Sequence, residues 1–290
     1  MTPPAREAAR EAARAREVAV VTGAGGGLGR AVAAALHADG WRVLLTDLDP
    51  DAARAAAAPL GGWSRALDVR DETACAEVAA AAADSPGGLG LWVNNAGILV
   101  TGAAWTHDAA TRRRVVEVNA LGAMNGTMAA LDVMRPRGRG HVLNVVSLAG
   151  LVAAPGETVY AASKHALLAF SVGTLADLRL AGLRDVHVSC LCPDGIWTPM
   201  LHDRLDDPGA LASFTGAMLS PARVAARAAR LARRPRPVVT LPRWRGVQVR
   251  LLDAFPRVAL GLLPVVRAAG RAGQRRQRRR VGPESNGTRL

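Results

Sequence analysis

Glu17-Val18-Ala19-Val20-Val21-Thr22-Gly23-Ala24-Gly25-Gly26-Gly27-Leu28-Gly29 is the stretch on which the fold turns. Its first six residues form a short, β-branched, apolar run and read as a buried strand. The strand runs straight into a glycine turn, and residues 30–37 continue as an alanine-rich helix. Strand, glycine turn and helix in that order point to dinucleotide binding. The glycines permit a tight turn and a close approach of backbone to a pyrophosphate. The helix start then offers free N–H groups and a positive dipole end.

The next unit supports this. Trp41-Arg42-Val43-Leu44-Leu45-Thr46 reads as a second strand, ending at Asp47, 18 residues after Gly29. A carboxylate near that spacing accepts hydrogen bonds from an adenosine ribose and repels a 2′-phosphate. No basic residue stands between Gly23 and Gly29, and none follows at Leu48, so NAD is expected over NADP. The alternation then repeats. Helices are predicted over 51–58, 71–83, 111–134, 157–180 and 221–233. Strands are predicted over 64–67, 91–93, 141–146, 186–191 and 237–240. Such regular alternation predicts a doubly wound parallel sheet, Rossmann-like, as three α/β/α layers in a single domain. Residues 17–241 make that domain, residues 1–16 a flexible lead-in, and residues 242–290 a basic amphipathic extension.

Charge separates the body from the extension. Residues 1–220 hold 19 Lys and Arg against 22 Asp and Glu, whereas residues 221–290 hold 18 Arg against Asp253 and Glu284. The net charge of +13 is therefore a property of the tail. The start of the chain has no apolar segment of secretory type, and no run of 18 apolar residues suggests a membrane span. Cys75, Cys190 and Cys192 have neither disulfide-framework nor metal-ligand spacing, so a reduced, cytoplasmic setting and no metal site are expected.

Tyr160-Ala161-Ala162-Ser163-Lys164 carries the chemistry. It contains the single tyrosine and the single lysine of 290 residues. Spaced i, i+4, they share one helix face. An ammonium beside a phenol favours phenolate and should draw the tyrosine pKa from about 10 towards neutrality. His165 lies about 100° away around the helix and reads as structural.

With these residues in place, the chain resembles the short-chain dehydrogenase/reductase family, in its single-domain branch, over about residues 18–241. Thr22-Gly23-(x)3-Gly27-Leu28-Gly29 is similar to the TGxxxGxG turn. Asp68-Val69 is similar to the adenine-holding pair. Asn94-Asn95-Ala96-Gly97 resembles the NNAG segment lining the cofactor cleft. Asn119, Ser147, Tyr160 and Lys164 match the active-site positions, with Ser147 13 residues before Tyr160. Pro193-Asp194-Gly195-Ile196-Trp197-Thr198-Pro199 is similar to the PGxxxTP loop over the nicotinamide, except that Asp194 intervenes. The resemblance implies hydride transfer between nicotinamide and a carbinol or carbonyl carbon. In it Tyr160 is the acid/base, and Lys164 depresses its pKa and bonds the ribose. Ser147 holds the substrate oxygen, and Asn119 holds a relay water. It also implies cofactor contacts from Gly23, Gly27, Leu28, Gly29, Asp47, Leu48, Asp68, Val69, Asn95, Ala96, Gly97, Tyr160, Lys164, Pro193, Gly195, Ile196 and Thr198, and a homodimer or homotetramer. The alternative from another class is a non-catalytic dinucleotide sensor or scaffold on the same fold; the joint presence of the four active-site residues argues against it.

Residues 197–219 read as a lid with an apolar inner wall (Trp197, Met200, Leu201, Leu205, Phe214, Met218, Leu219). Ile98, Leu99, Leu148, Leu151 and Val152 flank the cleft. That wall predicts an apolar alcohol or ketone. In the extension, Leu251, Leu252, Phe255, Val258, Ala259, Leu262, Leu263 and Val266 share one helical side, and Pro256 and Pro264 should split it into two short pieces before the basic run 271–280. The segment 247–280 could contact an anionic membrane surface, cap the lid or pack on another subunit. Nucleic acid is not expected, because the basic run has no interleaved aromatics.

Overall fold

The computed structural model describes residues 17–281. The lead-in at 1–16 and the last nine residues of the extension lie outside the described residues. Seven parallel strands form one sheet: β1 (Val18–Thr22), β2 (Arg42–Asp47), β3 (Ser64–Ala66), β4 (Leu89–Asn94), β5 (Gly140–Val145), β6 (Val186–Pro193) and β7 (Val238–Leu241). Their spatial order is β3-β2-β1-β4-β5-β6-β7. The order reverses between β1 and β4, and a crevice opens there at the carboxyl ends of the strands. The three-layer, Rossmann-like expectation is met.

Helices cover both faces: α1 (Gly27–Ala38), α2 (Pro50–Ala57), α3 (Glu72–Ala83), α4 (Ala109–Val116), α5 (Gly122–Met134), α6 (Thr158–Leu180), the short α7 (Pro199–His202) and α8 (Pro221–Arg233). Side chains of β1 alternate between two cores, as a strand buried on both faces requires. Ala19 and Val21 join Val32 and Leu36 of α1 and Ala225 and Ala228 of α8. Val18 and Val20 join Val78 of α3, Leu131 of α5 and Leu178 of α6. Cys75 is a buried free thiol in the second of these cores, and Cys190 and Cys192 are buried free thiols in a further cluster with Val146 and Leu167.

Two predicted elements differ from the observed ones. The helix expected over 111–134 is divided by a π turn at Glu117–Leu121, with Asn119 inside it. Composition does not reveal such a turn, because the same residue types occur in α and π turns. The extension forms three helices, α9 (Arg243–Ala254), α10 (Pro256–Gly261) and α11 (Leu263–Val281). Pro256 does break the chain. Pro264 does not, because it occupies the first turn of α11, where no N–H is missed. The basic run is therefore the far half of a 19-residue helix.

Candidate active site

The glycine turn and α1 build the first part of the site. Gly23 has φ +62°, and a Cβ there would come within 2.8 Å of Ala96 Cα. A Cβ on Gly29 would collide with the Gly23 carbonyl. Only glycine therefore allows α1 to start this close to β1 and β4. Helices α2, α3, α4 and α8 have first-turn donors met by Asp49, Asp71, Asp108 and Ser220, but α1 begins at Gly26 with no side-chain cap. Its free donors face the cleft, which suits a pyrophosphate. Asp47 sits at the end of β2, its Oδ2 accepting from the Gly25 N–H at 2.9 Å. Thr22 Oγ1 accepts from the N–H groups of Asn95 and Ala96, each at 3.1 Å. Asn95 Nδ2 donates to the carbonyls of Thr22 and Gly23, each at 3.0 Å. These bonds fasten the NNAG segment to the glycine turn.

All seventeen expected cofactor contacts lie on the wall of one cavity of about 990 Å³, Leu48, Asp68, Val69, Pro193, Ile196 and Thr198 among them. Asp68 is not a free acceptor: Arg70 Nε donates to both of its carboxylate oxygens at 3.0 Å, and this pairing holds the carboxyl below its usual range. The glycines, the uncapped helix start and the strand-end carboxylate together fit a dinucleotide.

Three of the catalytic candidates, Ser147, Tyr160 and Lys164, line the same cavity. Ser147 follows the end of β5, and its Oγ accepts from the Ala149 N–H at 3.1 Å. Tyr160 and Lys164 reach the cavity from the first turns of α6. Lys164 is buried and donates to the Val145 carbonyl at 3.0 Å, with Nζ 5.7 Å from the Tyr160 ring centroid. Asn119 is not on the cavity wall. It stands buried behind Ile98, accepting from the Ile98 N–H and donating to the Ile98 carbonyl, each at 2.8 Å. Asn119 Nδ2 also donates to Ser163 Oγ, which in turn donates to the Tyr160 carbonyl. The asparagine thereby ties the β4 loop to the helix that carries Tyr160. His165 binds its own helix, Nδ1 donating to the Ala161 carbonyl at 2.8 Å, as a structural residue should.

The electrostatics differ from expectation in one respect. Burial pushes the Tyr160 phenol above its ordinary value; the Glu157 carboxylate adds to this, and a hydrogen bond with Ser147 opposes it. Burial also draws Lys164 down, to about 8. The desolvation that brings this pair together thus outweighs the attraction that was to lower the phenol. Removing both groups from water is visible only once the fold is known.

Three site residues escaped the sequence reading. Glu157 lies three residues before Tyr160 on the cavity wall; burial raises its carboxyl to about 7, although Oε1 accepts from the Ser213 N–H at 3.1 Å. Its i, i+3 spacing from Tyr160 was the available signal. Ser163, inside the YxxxK motif, was passed over as a spacer. The third is Arg245 of α9, whose Nε lies 3.0 Å from Asp194 Oδ2 in a buried ion pair. Asp194, the residue that breaks the loop motif, is accommodated because Gly216 opposite it has no Cβ. An acid in an apolar loop calls for a cation, but nothing in the sequence says which of the arginines answers.

The apolar wall also changes membership. Ile98, Leu99, Leu148, Val152, Met200 and Leu201 line the cavity. Trp197, Leu205, Phe214 and Met218 instead pack with Leu99, Leu201 and Ala210 beneath the lid, Leu219 joins the core under α1 and α8, and Leu151 packs in another cluster. Their place on the wall is taken by Val249, Leu252, Ala259, Leu263 and Val266 of the extension. The apolar side predicted for the extension is thus divided, because Leu251, Phe255 and Val258 point to solvent.

A family model described as short chain dehydrogenase matches residues 17–209. The sex determination protein tasselseed-2 of Zea mays is 38% identical over 194 residues, covering 64% of this chain and 56% of that protein. The chain thus spans little more than half the length of that relative. The 1-deoxy-11-beta-hydroxypentalenate dehydrogenase of Streptomyces exfoliatus is 36% identical over 200 residues, covering 66% of this chain and 72% of that one. Among solved structures, a short chain dehydrogenase/reductase from Burkholderia phymatum in complex with NAD superposes with a TM-score of 0.75 at 27% identity, over 84% of this chain and 95% of the other. The segment matched by the family model ends before β7 and the three helices of the extension.

Proposed function

The chain belongs to the short-chain dehydrogenase family, and we propose that it transfers a hydride between NAD and the carbinol or carbonyl carbon of an apolar alcohol or ketone, with Tyr160 as acid/base. The observation that carries this reading is the convergence of Ser147, Tyr160 and Lys164 on one cavity that the glycine turn also lines. A bound nicotinamide would supply the hydride chemistry. Gly23, Gly27, Gly29 and the uncapped start of α1 would hold its pyrophosphate, and Asp47 the adenosine ribose. The carboxylate at Asp47 supports NAD over NADP.

Proton handling falls to the chain's own residues. Tyr160 rests protonated, because burial holds its pKa high. In ketone reduction it donates that proton to the carbonyl oxygen, which Ser147 Oγ also holds. In alcohol oxidation it must first be deprotonated, and Lys164 stabilises the phenolate. Lys164, drawn down to about 8, exchanges protons readily near neutrality. The side chain of Asn119 is fully committed to Ile98 and Ser163. In this reading Asn119 acts by fastening Ile98 to the helix that carries Tyr160.

The substrate class follows from the wall beyond Tyr160, built of Leu99, Leu148, Val152, Leu252 and Leu263. A panel of apolar secondary alcohols, assayed for NAD and NADP reduction, tests the reading. Turnover of polar alcohols only, or none with either dinucleotide, would refute it.

A further inference from the structure

Helices α9–α11 present a second apolar surface that the cavity does not use. Seventeen large apolar side chains are exposed among the described residues, and eight of them fall within the 22 residues from Trp244 to Val265. At 100° per residue, Trp244, Val247, Leu251 and Phe255 form one stripe along α9. The cavity-facing residues of α9, Val249 and Leu252, lie on another side of the helix. Arg243 and Arg250 flank the stripe on its remaining edge. Across 243–281 there are eleven arginines and one acid, Asp253. Arg245 is taken up by Asp194 and Arg278 by Asp206.

The surface meets the cavity at its mouth. Leu260, Leu262 and Val265 are exposed and also line the cavity. The assembly is seated on the body. Gln274 Nε2 of α11 donates to the carbonyls of Arg204 and Asp207 in the lid, at 3.1 and 2.8 Å. Gly270 and Gly273 let α11 approach the lid backbone more closely than a Cβ would allow. Among the described residues no helix is long and apolar enough to cross a membrane.

We propose that the outer face of α9–α11 docks on an anionic lipid surface, with the cavity mouth turned towards the acyl chains. An apolar stripe bordered by arginines is the pattern of a segment lying in the headgroup region. Charge selects this occupant over a second copy of the chain. A twofold contact would set each arginine-rich face against its equal. An anionic lipid supplies the missing charge, and its chains take the stripe. The orientation gives an apolar substrate a route into the cavity that avoids water. This last point rests on the proposed substrate class; the docking itself does not.

Flotation of the full chain with phosphatidylcholine vesicles, with and without phosphatidylserine, tests the docking. The wild type should float with the anionic vesicles and only weakly with the neutral ones. The variant Leu251→Glu/Phe255→Glu removes two exposed side chains that do not line the cavity, and should lose lipid affinity by at least about tenfold while keeping its melting temperature and its NAD binding. Absence of flotation with anionic vesicles overturns the proposal, as does equal flotation of the variant. So does a change from dimer to monomer in the variant with no change in flotation, which assigns the stripe to a second copy. Displacement from vesicles by a single-stranded oligonucleotide that binds wild type and variant equally assigns the arginines to nucleic acid instead. A second reading separates docking from catalysis: the variant should lose turnover of a vesicle-borne alcohol and keep turnover of a short soluble one. Failure of both activities in the wild type, with flotation intact, would refute the proposed reaction and leave the docking standing.

Discussion

Replacing Arg245 by methionine should loosen the cofactor loop from the extension, and should do so in a pH-dependent way. The guanidinium and the Asp194 carboxylate are almost fully buried, with side-chain exposures of 12% and 6% and a separation of 3.0 Å. Arg245 also donates to Gln248 Oε1 at 2.7 Å and to Thr215 Oγ1 at 3.2 Å. At an effective dielectric of about 20, the attraction across such a gap is on the order of 5 kcal/mol. Removing one partner of a buried pair commonly costs about 3–5 kcal/mol, because the remaining charge stays buried. Here the loss is limited, because Asp194 can take up a proton: burial already raises its pKa even with Arg245 present. We therefore expect a loss of about 2–3 kcal/mol at about pH 8, or on the order of 5–10 °C in Tm. The sign is fixed by linkage. Without Arg245 the folded-state pKa of Asp194 rises further above its unfolded value, so the folded state binds more protons and stability falls as pH rises. The penalty should shrink towards about pH 5, and the double variant Arg245→Met/Asp194→Asn should recover most of it at every pH. Thermal melts of the four proteins at the two pH values, each with an NAD titration, provide the measurement. A single variant as stable as wild type at high pH would refute the buried-pair argument, and so would a penalty independent of pH.

Tyr160→Phe should lower kcat by roughly a hundredfold or more with NAD affinity unchanged, read by steady-state kinetics and a dinucleotide titration. Lys164→Arg keeps the charge but cannot place a compact ammonium on the Val145 carbonyl, so turnover should fall by a similar factor. Glu157→Gln should raise stability above neutral pH by about 2–3 kcal/mol and leave it unchanged near pH 4, because the carboxyl titrates at about 7 folded against 4.5 unfolded and its ionisation opposes folding. The same substitution removes a charge that raises the Tyr160 pKa, so the pH–rate profile should move to lower pH. Asp47→Ser should raise kcat/KM with NADP by roughly tenfold, through loss of a carboxylate that repels the 2′-phosphate.

The α/β architecture was legible because its signals are local. A strand buried on both faces needs an unbroken apolar run, and a helix start that approaches the sheet needs glycine, so Val18 to Gly29 announces both. Tyr160 and Lys164 were legible because the chain holds a single tyrosine and a single lysine, set i, i+4; Ser147 and Asn119 were legible only through the family resemblance. The environment of these groups was not legible. That Tyr160 and Lys164 are desolvated enough to counter their mutual attraction depends on Leu99, Val145 and Cys192 reaching them from distant elements. The π turn around Asn119, the Glu157 carboxyl and the pairing of Asp194 with Arg245 arise in the same way, from contacts between residues tens of positions apart. The extension shows the contrast most clearly. Periodicity revealed one apolar side, and packing divided it, sending Leu252 and Leu263 to the cavity and Leu251 and Phe255 outward. A helical repeat states which residues share a side of one helix. Which side meets the body depends on the surface available to bury it, and that surface exists only after the sheet and the lid have formed.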